Sequence, residues 1–103
     1  MILTTTETIS GKDLETIGLV KGSTIQSKNI GRDIMSGLKT IVGGELVSYT
    51  QMMNEARALA TKRMAEEAEQ LGADAVVCIR YASASVMAGA AEVMAYGTAV
   101  KFK

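Results

Sequence analysis

Not one of the 103 residues is a histidine, and this absence narrows the chemistry more than any residue present. Imidazole is the usual general base near neutral pH and the commonest transition-metal ligand. Ser-His and Cys-His catalysis and His-rich zinc sites are therefore excluded. Cysteine is almost missing too: Cys78 stands alone and can form no internal disulfide. Aromatic residues are few, only Tyr49, Tyr81, Tyr96 and Phe102. The apolar 48% comes instead from Ala, Val, Ile, Leu and seven Met. A core of such small side chains gains less from burial, which points to help from partner subunits. Eleven basic residues balance eleven acidic ones without a basic run, so the electrostatic stripe of a nucleic-acid binder is lacking. No apolar run approaches the roughly 20 residues of a membrane helix, and no signal peptide is visible. The expectation is a cytoplasmic protein with no membrane and no nucleic-acid partner.

The length suits one domain, residues 1–103, able to fold alone but with little margin. Ile2 to Ile9, rich in Thr and Ile, reads as a short strand, followed by a turn at Ser10-Gly11-Lys12-Asp13. Leu14 to Ser27 reads as a long strand bent at its glycines, or as two short strands joined at Lys21-Gly22-Ser23. Asn29 is placed to cap a first helix, in which Ile30, Ile34, Leu38 and Ile41 recur at helical spacing and which Gly43-Gly44 ends. Ser48 to Gln51 has the form of a capping box opening a longer helix, which Gly72 closes. Tyr49, Met53, Ala56, Ala60, Met64, Glu67 or Ala68, and Leu71 mark one face of it.

Ala73 to Ala82 predicts a strand apolar on both faces, with Ala75, Val77, Ile79 and Tyr81 on one and Val76, Cys78 and Arg80 on the other. A single helical layer covers only one of them, so a neighbouring subunit is expected on the second. Ser83 to Ala91, built from Ala, Ser and Gly, predicts a loop. The final strand, Glu92 to Phe102, sets Met94, Tyr96, Thr98, Val100 and Phe102 against a face of small residues, Val93, Ala95, Gly97 and Ala99, which suits a closely packed interface. The order predicts a two-layer α+β sandwich, an antiparallel sheet against one short and one long helix.

Ile30-Gly31-Arg32-Asp33, Ile41-Val42-Gly43-Gly44, Ser48-Tyr49, Ala56-Arg57, Gly72-Ala73-Asp74-Ala75-Val76 and Gly97-Thr98-Ala99-Val100 lie in the order and spacing of the YbjQ-like proteins. The chain resembles this family, whose label is "putative heavy-metal-binding", over nearly its whole length. The resemblance implies a dodecin-subunit-like fold and a homopentamer in which short additional strands join neighbours. The sequence also departs from the pattern. Where the family usually has an Arg-Ser pair after the double glycine and an acidic residue after the tyrosine, this chain has Glu45-Leu46-Val47 and Thr50. At Cys78 the family commonly has glycine.

Among candidate functional residues, Cys78 offers a soft thiolate, but a closed metal site normally needs four ligands. One cysteine becomes a cluster only if copies converge about a symmetry axis; otherwise it is a small buried thiol. Met52 and Met53 diverge by about 100° on a helix and read as packing residues. Asp33 and Arg57 read as an ion pair, within or between subunits, or as the lining of a ligand cleft with Tyr49. Gly43-Gly44 lacks the Lys-Ser/Thr of a phosphate loop. Glu66, Glu67 and Glu69 form a solvated charge run. The reading that follows is a non-enzymatic, homo-oligomeric binding or scaffold protein with its ligand between subunits. The alternatives are a heavy-metal binder, with a metal ion as cofactor, and an enzyme using Asp33, Arg57 and Tyr49.

Overall fold

The computed structural model describes residues 1–27 and 44–103. The helix expected from Asn29 and the candidate Asp33 lie outside the described residues. Four strands and one helix make up the rest: β1 (Ile2–Leu3), β2 (Leu14–Ser27), α1 (Gly44–Gln70), β3 (Ala75–Met87) and β4 (Ala90–Phe102). The strands form one sheet in the order β1-β3-β4-β2. The fold is α+β, a mixed four-stranded sheet packed against a helix. Mixed replaces the expected antiparallel arrangement because β1 runs parallel to β3, pairing Ile2 with Ala75 and Leu3 with Val76. The other two pairings, β2 with β4 and β3 with β4, are antiparallel.

β1 is shorter than the strand expected over residues 2–9. The segment beyond it still follows β3 through single hydrogen bonds: the Thr4 N–H donates to the Val76 carbonyl, the Cys78 N–H to that of Thr6, and the Ile79 N–H to that of Thr4. β2 is one continuous strand over the expected residues. It carries a register shift between Thr16 and Gly18, which lets Ile17 pack against the core.

α1 starts at Gly44, four residues before the expected cap, so Ser48 lies inside the helix. Its end is as expected. The Gly72 N–H donates to the Glu69 carbonyl and the Ala73 N–H to that of Ala68, both at 3.0 Å, while Gly72 takes φ 78°. This is the paired-bond termination that a left-handed glycine permits. Ala56, Ala60, Met64 and Ala68, one turn apart, are fully buried. Tyr49 and Leu71, expected on that face, are about half exposed, at 47% and 50%, because they sit at the two ends of the stripe where the sheet no longer covers it.

The core explains the small residues. Val93, Ala95 and Ala99 of β4 meet Val20 of β2 and Ala56, Ala60, Met64 and Ala68 of α1 in one cluster. The small face of β4, expected at an interface, lies beneath the chain's own helix. Small side chains on both surfaces let helix and sheet approach closely, which raises packing density where large side chains are scarce. The limit of this approach is Gly22: a Cβ there would stand 2.2 Å from the Met64 nitrogen and 2.4 Å from the Ala60 carbonyl oxygen.

Ser83 to Ala91, expected as a loop, is instead the arm of a hairpin. β3 continues to Met87, β4 begins at Ala90, and Gly89 turns the chain at φ 78°. Ala, Ser and Gly are poor strand formers, but here β4 pairs with β3 on one side and with β2 on the other, as far as Ser27 opposite Ala90. Ladder pairing, to β4 alone for residues 83–87 and on both sides for Ala90 and Ala91, overrides the weak local preference. Arg80 to Gly89 is exposed throughout.

Candidate functional site

Strict alternation along β3 breaks at Cys78. Val77 pairs with Thr98 and Arg80 with Tyr96, so Cys78 and Ile79 together stand opposite Gly97. Two residues against one is a β-bulge, and in one type of bulge the first residue takes the left-handed conformation that suits glycine. Cys78 does so, with φ 56°, alone among the described non-glycine residues. The bulge moves Ile79 onto the helix side with Val76, where both join the main core. Cys78 stays with Val77 on the other side, in a smaller cluster with Ala75, Val100, Ile9, Leu14 and Phe102. This corrects the face assignment from the sequence: Val76 and Ile79 share one face, Val77 and Cys78 the other. Gly97 completes the arrangement, since a Cβ on it would come within 2.8 Å of Val76 Cγ1 and 3.2 Å of Ile79 Cγ1.

The outer face of β3, where a neighbouring subunit was expected, is covered at this end by the chain itself through Ile9, Leu14 and Phe102. Arg80, not singled out from the sequence, ties the amino-terminal segment down beside the bulge. Its Nη1 donates to the Thr5 carbonyl at 3.2 Å and to the Ile79 carbonyl at 2.9 Å. The corner therefore holds one half-buried thiol, packed against the apolar cluster of Ala75, Val77 and Val100.

A heavy metal requires more than this. Among the described residues no three His, Cys, Asp or Glu side chains converge on a common point. A soft ion held by one thiolate lacks the remaining ligands. The described residues of a single copy do not fit a metal centre.

The remaining described candidates, Arg57 and Tyr49, belong to α1. Arg57 is exposed, and its Nη1 donates to Asn54 Oδ1 at 2.9 Å, one helical turn earlier. The 100° advance per helical residue takes it off the stripe held by Ala56 and Ala60. The backbone carbonyl of Arg57 belongs to a different chain of bonds. Thr61 Oγ1 donates to it at 2.7 Å, leaving that hydroxyl to accept from the Tyr81 hydroxyl at 2.8 Å. Helix and hairpin arm are joined there. The four-residue step from Arg57 to Thr61 is the sequence signal for the first bond, as threonine in a helix commonly bonds back one turn. Nothing local signals the second. Tyr49 lies near the start of α1, two turns before Arg57.

Beyond the covered corner, the outer face of the sheet carries apolar side chains. Leu19 and Ile25 of β2 are 69% and 62% exposed, and Tyr96 of β4 is 38% exposed beside Met94 and Thr98. Among the described residues nothing packs over them. No described helix is long and apolar enough to cross a membrane.

Comparison with known proteins places these features. A family model described as "Putative heavy-metal-binding", YbjQ_1, matches residues 1–103. A UPF0145 protein of Clostridium novyi is 69% identical over 101 residues, covering 98% of both chains. A UPF0145 protein of the archaeon Methanosarcina acetivorans is 59% identical over 102 residues, covering 98% of this chain and 96% of its own. A crystal structure of a DUF74-family protein from Pediococcus pentosaceus superposes with a TM-score of 0.66 at 15% identity, over 100% of this chain and 98% of that one. That likeness is one of fold.

Proposed function

Since the chain belongs to the YbjQ family, we propose that it acts in the cytoplasm as a non-enzymatic, homo-oligomeric binding protein, pentameric as the resemblance implies, with its ligand held between subunits. The observation that carries this reading is the outer face of the sheet, left open by the described residues. Leu19, Ile25, Met94 and Tyr96 bring large apolar side chains onto one side of a three-stranded surface. Exposed apolar side chains grouped in this way, with Lys21 and Ser23 of β2 among them, are a usual mark of an interaction site. The exposed stretch Arg80–Gly89, with Val86 and Met87 near its tip, adds to the area open to a neighbour.

A ligand site between copies is consistent with what one copy lacks. Among the described residues no three His, Cys, Asp or Glu side chains come together, and the hydroxyls of Thr61 and Tyr81 that meet between helix and hairpin serve to join them. Sedimentation velocity combined with native mass spectrometry of freshly purified protein tests the proposal. A closed oligomer carrying a stoichiometric small species is expected; a bare monomer at micromolar concentration refutes it.

The family description favours a second reading, heavy-metal binding. It requires several copies of Cys78 to converge, because one copy supplies a single soft donor. Elemental analysis of untagged protein decides between the two. Metal in a fixed ratio to the chain, lost in Cys78→Ala, would put this reading first.

A further inference from the structure

The helix touches the sheet at one place that the binding reading does not use. Two side chains of α1 reach the backbone of β2: the Lys21 N–H donates to Glu67 Oε1 at 3.3 Å, and Arg63 Nη1 donates to the Ser23 carbonyl at 2.7 Å. Lys21 and Ser23 are two residues apart on one strand, so their backbone polar groups point the same way in the plane of the sheet. β4 occupies one edge of β2. Among the described residues no strand occupies the other. An open edge presents a row of unpaired N–H and C=O groups to any extended chain that meets it.

We infer that Arg63 and Glu67 form an edge guard that keeps this edge of β2, which no described strand occupies, from pairing with a strand of a second copy. The chemistry matches the edge group by group: a carboxylate accepts from the exposed N–H, a guanidinium donates to the exposed C=O, and both bonds are charge-assisted. The spacing matches as well. Two residues along a strand span about 6.6 Å, and four residues along a helix rise about 6 Å. Arg63 and Glu67 therefore stand over Ser23 and Lys21 in antiparallel register. Gly22, between the two guarded residues, makes the reach possible, since any side chain there would collide with the helix backbone at Ala60 and Met64.

The strand being guarded carries exposed Leu19 and Ile25 on either side of the guarded pair. A long, exposed, partly apolar edge strand invites open-ended pairing. Closing its centre with side chains of the same chain prevents this without burying the edge. The guard holds for one copy or for several, because it concerns which edge stays out of contact. It is therefore independent of the pentamer proposed above.

The test exchanges the two guarding residues. Arg63→Glu with Glu67→Arg keeps composition, net charge and an oppositely charged pair four residues apart, now in the order that favours the helix. It sets a carboxylate against the Ser23 carbonyl and a guanidinium against the Lys21 N–H, so neither bond can form. The expected result is an unchanged helical spectrum with sedimenting species larger than those of the wild type, growing with concentration. Adding Lys21→Pro removes the edge N–H at a position not used in the ladder, and should return the distribution to that of the wild type. Should the exchanged variant unfold, Glu67→Ala carries the test by hydrogen exchange. The Lys21 amide is expected to exchange on the order of tenfold faster, with Val20 and Gly22 unchanged. A wild-type sedimentation profile in the folded exchange variant, or an unaltered Lys21 amide in Glu67→Ala, overturns the inference. A monomeric wild type would refute the pentamer and leave the guard to be read from the difference between variant and wild type.

Discussion

Replacing Cys78 by glycine and, separately, by alanine divides a backbone effect from a side-chain effect at one position. Cys78 holds φ 56° in the bulge opposite Gly97. A residue with a Cβ in the left-handed region costs about 1–2 kcal/mol relative to its ordinary conformation, whereas glycine enters it freely. Cys78→Gly relieves that cost. Against this stand about 0.5–1 kcal/mol for the greater freedom of glycine in the unfolded chain and roughly 0.5 kcal/mol for packing lost from a half-buried thiol. The net change is close to zero. Cys78→Ala keeps the conformational cost and loses the same sulfur contact, so it should be less stable than the wild type by about 0.5–1 kcal/mol. Glycine should thus exceed alanine by about 1 kcal/mol, the reverse of the usual order within a strand. For a domain of this size that is about 4–8 °C in Tm. Urea and thermal unfolding of all three proteins, at one protein concentration because association shifts apparent stability, provide the measurement. If alanine proves the more stable by about 1 kcal/mol, the conformational argument fails.

Two further substitutions test the packing. Gly22→Ala should destabilise by about 3 kcal/mol or more, at the upper end of overpacking costs, because its Cβ meets helix backbone at 2.2 and 2.4 Å rather than a movable side-chain tip; a urea midpoint within experimental error of the wild type would refute the close approach. Arg57→Met should cost under about 1 kcal/mol, since the guanidinium is exposed and bonded only locally to Asn54 among the contacts described. A loss of about 3–5 kcal/mol would instead mark a buried ion pair, which unfolding with and without Asp33→Asn would then identify.

Much of the fold was legible from local pattern. The 3.6-residue recurrence of Ala56, Ala60, Met64 and Ala68 and the stop at Gly72 marked the long helix. The alternation in Leu14–Ser27 and Glu92–Phe102 marked two strands and, for β4, the correct faces. These are periodicities that a chain carries within itself, as each depends only on which residues come round to one side. The departures came where a contact distant in sequence outweighed the local signal. Ala, Ser and Gly in residues 83–91 carry no strand preference, yet they pair because β2 and β4 offer a ladder that leaves few groups unsatisfied. The bulge at Cys78 exchanged the faces of β3, and no alternation rule foresees one inserted residue; only the space above Gly97 shows where Val76 and Ile79 can both be accommodated.

The candidate site divides in the same way. The lack of histidine and the solitary cysteine already limited what chemistry one copy can perform, because composition sets which donors and bases exist at all. Where those groups stand was decided by the tertiary structure. Arg57 turned outward to Asn54, Cys78 turned into a bulge beside Arg80, and the small face of β4 met its own helix rather than a neighbour. In the sequence nothing set Arg63 apart from the other charges of the helix, and Glu67 was marked only by its spacing, as an alternative to Ala68 on the apolar face. They became edge contacts only because Gly22 admits the helix onto β2. A side chain's identity is local, but its partner is set by how closely two elements pack, and that closeness here depends on a residue with no side chain.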